Sequence, residues 1–121
     1  LDDYRLPERL ADPFGYGRIV RDATGAIRAI VEEQCATDDQ RLIREVNGGA
    51  YVFHSRRLFD NIDKMRLNEA GEYNLTDMVG VFIERGYVVA SIECDPVELA
   101  GVNTVDELRA AEEVLRNRQC A

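Results

Sequence analysis

The chain has 121 residues, 45% of them hydrophobic and 31% charged, and a formal net charge of -8. That length suits one domain or part of one, with a core able to remove roughly two-thirds of the unfolded surface from water. The acidic balance argues against non-specific binding to nucleic acid or to an anionic membrane surface, both of which need a basic face. In chain order, the first notable stretch is "DPFGYGRIVRD", Asp12 to Asp22, where two glycines flank a tyrosine at the mouth of an apolar-basic run. "GRIVRD" and "AIRAIVEE", separated by "DATG", predict a hairpin with Gly25 supplying the positive φ of its turn. Thr37 to Gln40 is a T-x-x-Q capping box that opens a short helix through about Ile43. "EVNGGAYVF", β-branched and aromatic after a glycine pair, predicts a buried strand. Ser55 is placed to cap a helix in which Leu58, Ile62 and Met65 share a face.

The segment "RLNEAGEYN" reads as a loop. From Leu75 onward, Met78, Val79, Phe82 and Ile83 follow helical spacing, with Asp77 in the first turn and Gly86 as the stop. "YVVASIE" predicts another strand. Thr104 to Glu107 is a T-x-x-E capping box, after which Leu108, Ala111 and Leu115 line one face of a last helix, about 104–121. Strands alternating with helices indicate α/β layering, to which the opening hairpin is an antiparallel addition. No apolar run reaches the length of a membrane span. The first residues, "LDDYRLPERL", are charged from the second position and do not read as a signal peptide. They also lack an initiator methionine, which leaves a processed protein and a piece of a longer one as the two readings. Cys35, Cys94 and Cys120 are odd in number and widely spaced, the pattern of free thiols in a reducing, cytoplasmic setting.

Four positions carry alternative readings. Gly17 is either a turn glycine or a bare backbone position that lets a ligand approach closely. Glu32 and Glu33 end the second run of the hairpin, where adjacent side chains point to opposite faces. One of them is able to accept two sugar hydroxyls through charge-assisted bonds; otherwise both are a solvated strand end. Asn47 suits a hydroxyl or an acetamido group, because its amide donates and accepts, and it equally suits a turn before glycine. Asn103 offers a hard neutral oxygen to Mg²⁺, or simply leads into the last helix. One asparagine does not make a magnesium site, which takes carboxylates, phosphate oxygens and waters as well. His54 is the single histidine, and no nucleophile pattern surrounds it, so a surface or packing role is expected. There is no G-x-S-x-G, H-E-x-x-H or Walker loop.

Taken in order, "GYGRIVRDATGAIRAIVEE", "ATDDQRLIREVNGGAYVF", "GEYNLTDMV" and "AGVNT" resemble a known family. They look like the second half of the uridylyltransferase domain of the bacterial N-acetylglucosamine-1-phosphate uridylyltransferases, which usually precedes a left-handed β-helix acetyltransferase domain. The resemblance runs from about Asp12 to Asn117. It implies an α/β, Rossmann-like nucleotidyltransferase fold of which residues 1–121 are the C-terminal, sugar-binding part. It implies a reaction of UTP with N-acetylglucosamine 1-phosphate that yields UDP-N-acetylglucosamine and pyrophosphate, uses Mg²⁺ and serves cell-wall synthesis. It further implies that Gly17, Glu32 and Asn47 contact the sugar nucleotide. In the same way it implies that Asn103, in the family's G-V-N block, contacts substrate and binds the metal. Homo-oligomers would form through a further C-terminal domain.

The sequence departs from the family in places. N-G-G at Asn47 to Gly49 stands for N-T-G, Gln34-Cys35 stands for Lys-Asp, and Tyr4 to Asp12 reads as an insertion. The family's glycine-rich nucleotide loop and its metal-sharing aspartate have no counterpart in these 121 residues. The expectation is therefore that this chain alone is inactive. Two further readings stay open: a nucleotidyltransferase for another hexose 1-phosphate, such as glucose, and a non-catalytic module that binds sugar nucleotides or another chain.

Overall fold

The computed structural model describes residues 12–68 and 71–120. The predicted hairpin is present. Strand β1, Arg18–Arg21, pairs antiparallel with β2, Ile27–Val31, in the register Arg18 to Val31 and Ile19 to Ile30, with an irregularity after Val20. Gly25 takes the left-handed conformation in the connecting turn (φ +84°). The Asp22 carboxylate organises that turn. It accepts the Thr24 hydroxyl at 2.6 Å, the Thr24 N–H at 2.9 Å and the Ala26 N–H at 3.1 Å, and it takes the Arg28 guanidinium at 2.7 Å.

Among the described residues four α-helices follow: α1, Asp38–Arg41; α2, Ser55–Asn61; α3, Asp77–Glu84; and α4, Val105–Gln119. Both predicted capping boxes form reciprocally, Thr37 with Gln40 and Thr104 with Glu107. In the second, Glu107 accepts the N–H groups of Asn103 and Thr104 at 2.6 and 2.8 Å, which hold its carboxyl below the usual range. Helix α3 begins with Asp77 and stops before Gly86, whose φ of +74° no β-branched residue would take comfortably. Its buried stripe of Met78, Val79 and Phe82 packs on β2, and together with Ile27 and Ala36 it makes the core. Each such side chain contributes about 1.5–3 kcal/mol when fully buried. Rings extend this core outward: Phe53 meets Phe82 edge-on at 5.5 Å, Phe82 meets Tyr87 edge-on at 5.3 Å, and Arg57 lies 4.4 Å over Tyr87.

Several expectations need correction. "EVNGGAYVF" is not a strand: its one ladder contact among the described residues is an isolated bridge between Arg18 and Val46. "YVVASIE" is likewise outside any sheet. Both have strand composition, but a strand needs a neighbour to complete its hydrogen bonds, and Val52, Val88 and Ile92 are almost fully exposed. The cap of α2 is His54 rather than Ser55: the imidazole Nδ1 accepts the Arg57 N–H at 3.4 Å. Helix α2 ends at Asn61 and tightens into a 3-10 turn, Ile62–Lys64, so Leu58, Ile62 and Met65 do not share a continuous helical face. The apolar side of α4 faces water at Leu108 and Leu115. Helices and a two-stranded antiparallel hairpin are compatible with part of an α/β domain. The Tyr4–Asp12 segment lies outside the described residues except for Asp12, and the loop "RLNEAGEYN" includes two residues, 69 and 70, that also lie outside them.

Candidate functional site

Three of the four residues singled out in the sequence come together. Gly17 precedes β1 and is buried; Glu32 follows β2; Asn47 follows the Val46 bridge. A Cβ on Gly17 would stand 3.2 Å from Ile30 Cγ2, 3.4 Å from Glu32 Oε2 and 3.6 Å from Asn47 Cβ. Gly17 does not have a positive φ; that turn conformation belongs to Gly15, at +83°. The glycine at position 17 is therefore required by space, not by backbone angle.

Hydrogen bonds hold the cluster. The Asn47 N–H donates to the Gly17 carbonyl at 2.8 Å. The Asn47 side chain accepts the Gly49 N–H at 3.1 Å and donates to the Tyr51 hydroxyl at 2.6 Å. The turn reading of Asn47 is thus realised, and its oxygen keeps one further lone pair. Glu32 is neither solvated nor idle. Its Oε1 accepts the hydroxyl of the buried Thr76 at 3.0 Å, and its Oε2 lies beside Gly17. A carboxylate oriented through one oxygen presents the other to whatever enters next to Gly17.

Glu33 turns to different partners, but not through strand alternation as expected: β2 ends at Val31, and Glu33 opens a 3-10 turn, Glu33–Cys35, that Glu32 precedes. Nor is it a solvated strand end. Its Oε2 meets Arg18 Nη2 at 2.7 Å and accepts the Gly15 N–H at 3.3 Å. Arg18 is only 1% exposed. Its guanidinium also donates to the carbonyls of Tyr16, Ile43 and Arg41. Sequence reading assigned Arg18 no role. The missed signal was the acid beside Glu32, which supplies the counter-charge that a buried arginine needs. An open cleft of about 620 Å³ lies on this side, lined by Phe14, Gly15, Arg18, Glu33, Gln34 and Arg41. Neither Glu32 nor Asn47 lines it, and its two arginines, Arg18 and Arg41, both already pair with Glu33, so the Gly17–Glu32–Asn47 cluster is the stronger candidate.

Asn103 stands on the exposed approach to α4 and makes no hydrogen bond to that trio among the described residues. Tyr16 provides a link: its hydroxyl accepts the Gly101 N–H at 3.2 Å. A Cβ on Gly101 would stand 3.6 Å from that hydroxyl and 3.8 Å from Asn103 Nδ2. Among the described residues, no three His, Cys, Asp or Glu side chains are grouped to hold a metal ion. Of the two carboxylates that follow Asn103 most closely, Asp106 is paired with Arg109 at 4.0 Å and Glu107 is committed to the helix cap. These residues do not by themselves fit a Mg²⁺ site; Asn103 offers a single neutral oxygen. Among the described residues no helix is long and apolar enough to cross a membrane.

No protein-family model matches the chain. Individual relatives do. The chain is 42% identical over 110 residues to "Bifunctional protein GlmU" of Clostridium novyi, a match that covers 90% of this chain and 24% of that protein. It is 43% identical over 109 residues to the protein of the same name from Pelotomaculum thermopropionicum. It is 46% identical over 109 residues to the one from Heliobacterium modesticaldum, again with 88% of this chain and 24% of the relative aligned. The chain therefore spans about a quarter of the length of the curated relatives it matches.

Proposed function

From the premise that the chain belongs to the GlmU family, of which it spans about a quarter, we propose that it is the sugar-binding, C-terminal part of a Rossmann-like uridylyltransferase domain. In the whole protein, an oxygen of the phosphate on N-acetylglucosamine 1-phosphate attacks the α-phosphorus of UTP. The new bond joins that oxygen to the α-phosphorus, the bond from the α-phosphorus to the bridging oxygen breaks, and pyrophosphate leaves. No covalent enzyme intermediate is required, so the protein's work is positioning and charge stabilisation.

The residues of this chain position the sugar. Glu32 accepts sugar hydroxyls through the oxygen that Thr76 does not occupy, Gly17 leaves room for the ring to approach the backbone, and Asn47 offers its amide. Asn103 would contribute at most one neutral oxygen toward a Mg²⁺ ion, which would offset charge on the substrate phosphates. UTP and N-acetylglucosamine 1-phosphate are the substrates of this reading, and assembly of the whole protein into homo-oligomers rests on regions beyond this chain.

The observation that carries the reading is the meeting of Gly17, Glu32 and Asn47, residues distant in sequence, beside the Glu32 carboxylate oxygen that Thr76 does not bond. Pyrophosphate release by the full-length protein tests it, with UTP, Mg²⁺ and either N-acetylglucosamine 1-phosphate or glucose 1-phosphate. Preferential turnover of the acetamido sugar supports the proposal. Preference for glucose 1-phosphate moves the assignment to another hexose, and binding without turnover leaves a sugar-nucleotide-binding module.

A further inference from the structure

Residues 96–103 touch the hairpin side of the molecule at two points, and each point adjoins a member of the candidate site. The first is the Tyr16 hydroxyl, which accepts the Gly101 N–H at 3.2 Å. Tyr16 immediately precedes Gly17, and Gly101 stands two residues before Asn103. The second is Gly48, immediately after Asn47. A Cβ there would lie 2.5 Å from Leu99 Cδ1 and 2.8 Å from Leu99 Cδ2. Gly48 does not occupy the left-handed region, so what excludes a side chain is the seat of Leu99. Leu99 closes a 3-10 turn, Pro96–Leu99, that is capped by Asp95 and tied to α4 through Glu98 and Arg118 at 2.7 Å. The loop that carries Asn103 is thus registered against the two loops that carry Gly17 and Asn47.

We propose that Tyr16 is a positioning residue that, together with the Gly48–Leu99 contact, sets Asn103 relative to the Gly17–Glu32–Asn47 cluster so that both act on one bound sugar nucleotide. This rests on the reading of the cluster as a sugar site. The tyrosine contributes through its hydroxyl and touches no substrate atom; its ring carries that hydroxyl from the Gly17 loop to the Gly101 backbone. A single neutral hydrogen bond of this kind governs geometry more than stability.

A double-mutant cycle in the full-length protein separates positioning from direct contact. Calorimetric titration with UDP-N-acetylglucosamine is carried out on Tyr16→Phe, Asn103→Ala and the double variant. Loss of one hydrogen bond weakens binding by about three- to tenfold in the parent background. The same substitution changes affinity by less than about twofold once Asn103 is gone, because its effect travels through Asn103. Gly48→Ala reproduces the loss by displacing Leu99, and Leu99→Ala added to it restores affinity. Amide hydrogen exchange at Gly101 quickens in Tyr16→Phe. Equal losses in both backgrounds would make Tyr16 a direct ligand contact and overturn the proposal, as would unchanged exchange at Gly101 in a protein that binds normally. A parent protein that binds no UDP-N-acetylglucosamine overturns the sugar-site reading and the positioning role with it. The Gly101 exchange result then distinguishes that failure from the absence of the Tyr16 link.

Discussion

Arg18 and Glu33 meet at 2.7 Å with the guanidinium shielded from water. Among the described residues Glu33 is the one carboxylate that meets Arg18, the other acceptors being backbone carbonyls. Removing one member of a buried pair leaves an uncompensated charge, and such losses run to about 3–5 kcal/mol. Glu33→Ala is therefore expected to destabilise the fold by about 3 kcal/mol, the lower end, because the carbonyls still solvate the arginine. Urea unfolding measures this, and a midpoint within error of the parent would show that the pair contributes nothing. The same geometry disqualifies Glu33→Ala as an inert comparison for its neighbour Glu32.

Glu32→Ala removes the carboxylate that faces Gly17 while leaving the Arg18 pair intact. Hydrogen bonds to a charged group are worth ~1.5–3 kcal/mol each, which corresponds to a loss of roughly 10–100-fold in affinity for UDP-N-acetylglucosamine in the full-length protein. Titration calorimetry reads it. Unaltered affinity would remove Glu32 from the site.

Gly17→Ala tests the space itself. The added methyl meets Ile30 at 3.2 Å and Glu32 Oε2 at 3.4 Å, an overpacking that costs about 1 kcal/mol. If Gly17 adjoins the sugar as proposed, sugar-nucleotide binding should fall more steeply than stability does. Parallel melting and titration experiments compare the two; equal modest losses would reduce Gly17 to a packing position.

Acid stability should carry the mark of Asp22. Hydrogen bonds, chiefly from the Thr24 hydroxyl and then from the Thr24 and Ala26 N–H groups and Arg28, lower its pKa from the usual 3.8 to about 2. A carboxyl depressed in the folded state adds stability above its unfolded pKa, and that contribution disappears as pH falls from about 4 through about 2. Asp22→Asn should flatten the dependence of melting temperature on pH across this window. A slope identical to the parent's would show that the turn is not the acid-sensitive element.

Exposed strand-like segments predict self-association of the 121 residues when expressed alone. Val52, Val88 and Ile92 stand outside any sheet, almost fully exposed. Unpaired edges of this composition invite pairing with other chains. Sedimentation should show concentration-dependent oligomers, and a monomer at all accessible concentrations would contradict this.

What was legible in the sequence was local. The capping boxes at Thr37 and Thr104, the turn glycine Gly25 and the stop at Gly86 each depend on residues within one turn of one another, and each appears as read. Different partners for Glu32 and Glu33 were expected from strand alternation, but β2 ends at Val31 and a 3-10 turn begins at Glu33, so strand geometry is not what separates them. Tertiary structure decided which partner each acid meets: Thr76 for Glu32, and Arg18 for Glu33. Those contacts cross between separate elements, and no spacing rule encodes them. It also decided that "EVNGGAYVF" and "YVVASIE" stay outside the sheet. Strand composition states a preference, whereas a strand exists only where a neighbouring backbone completes its hydrogen bonds.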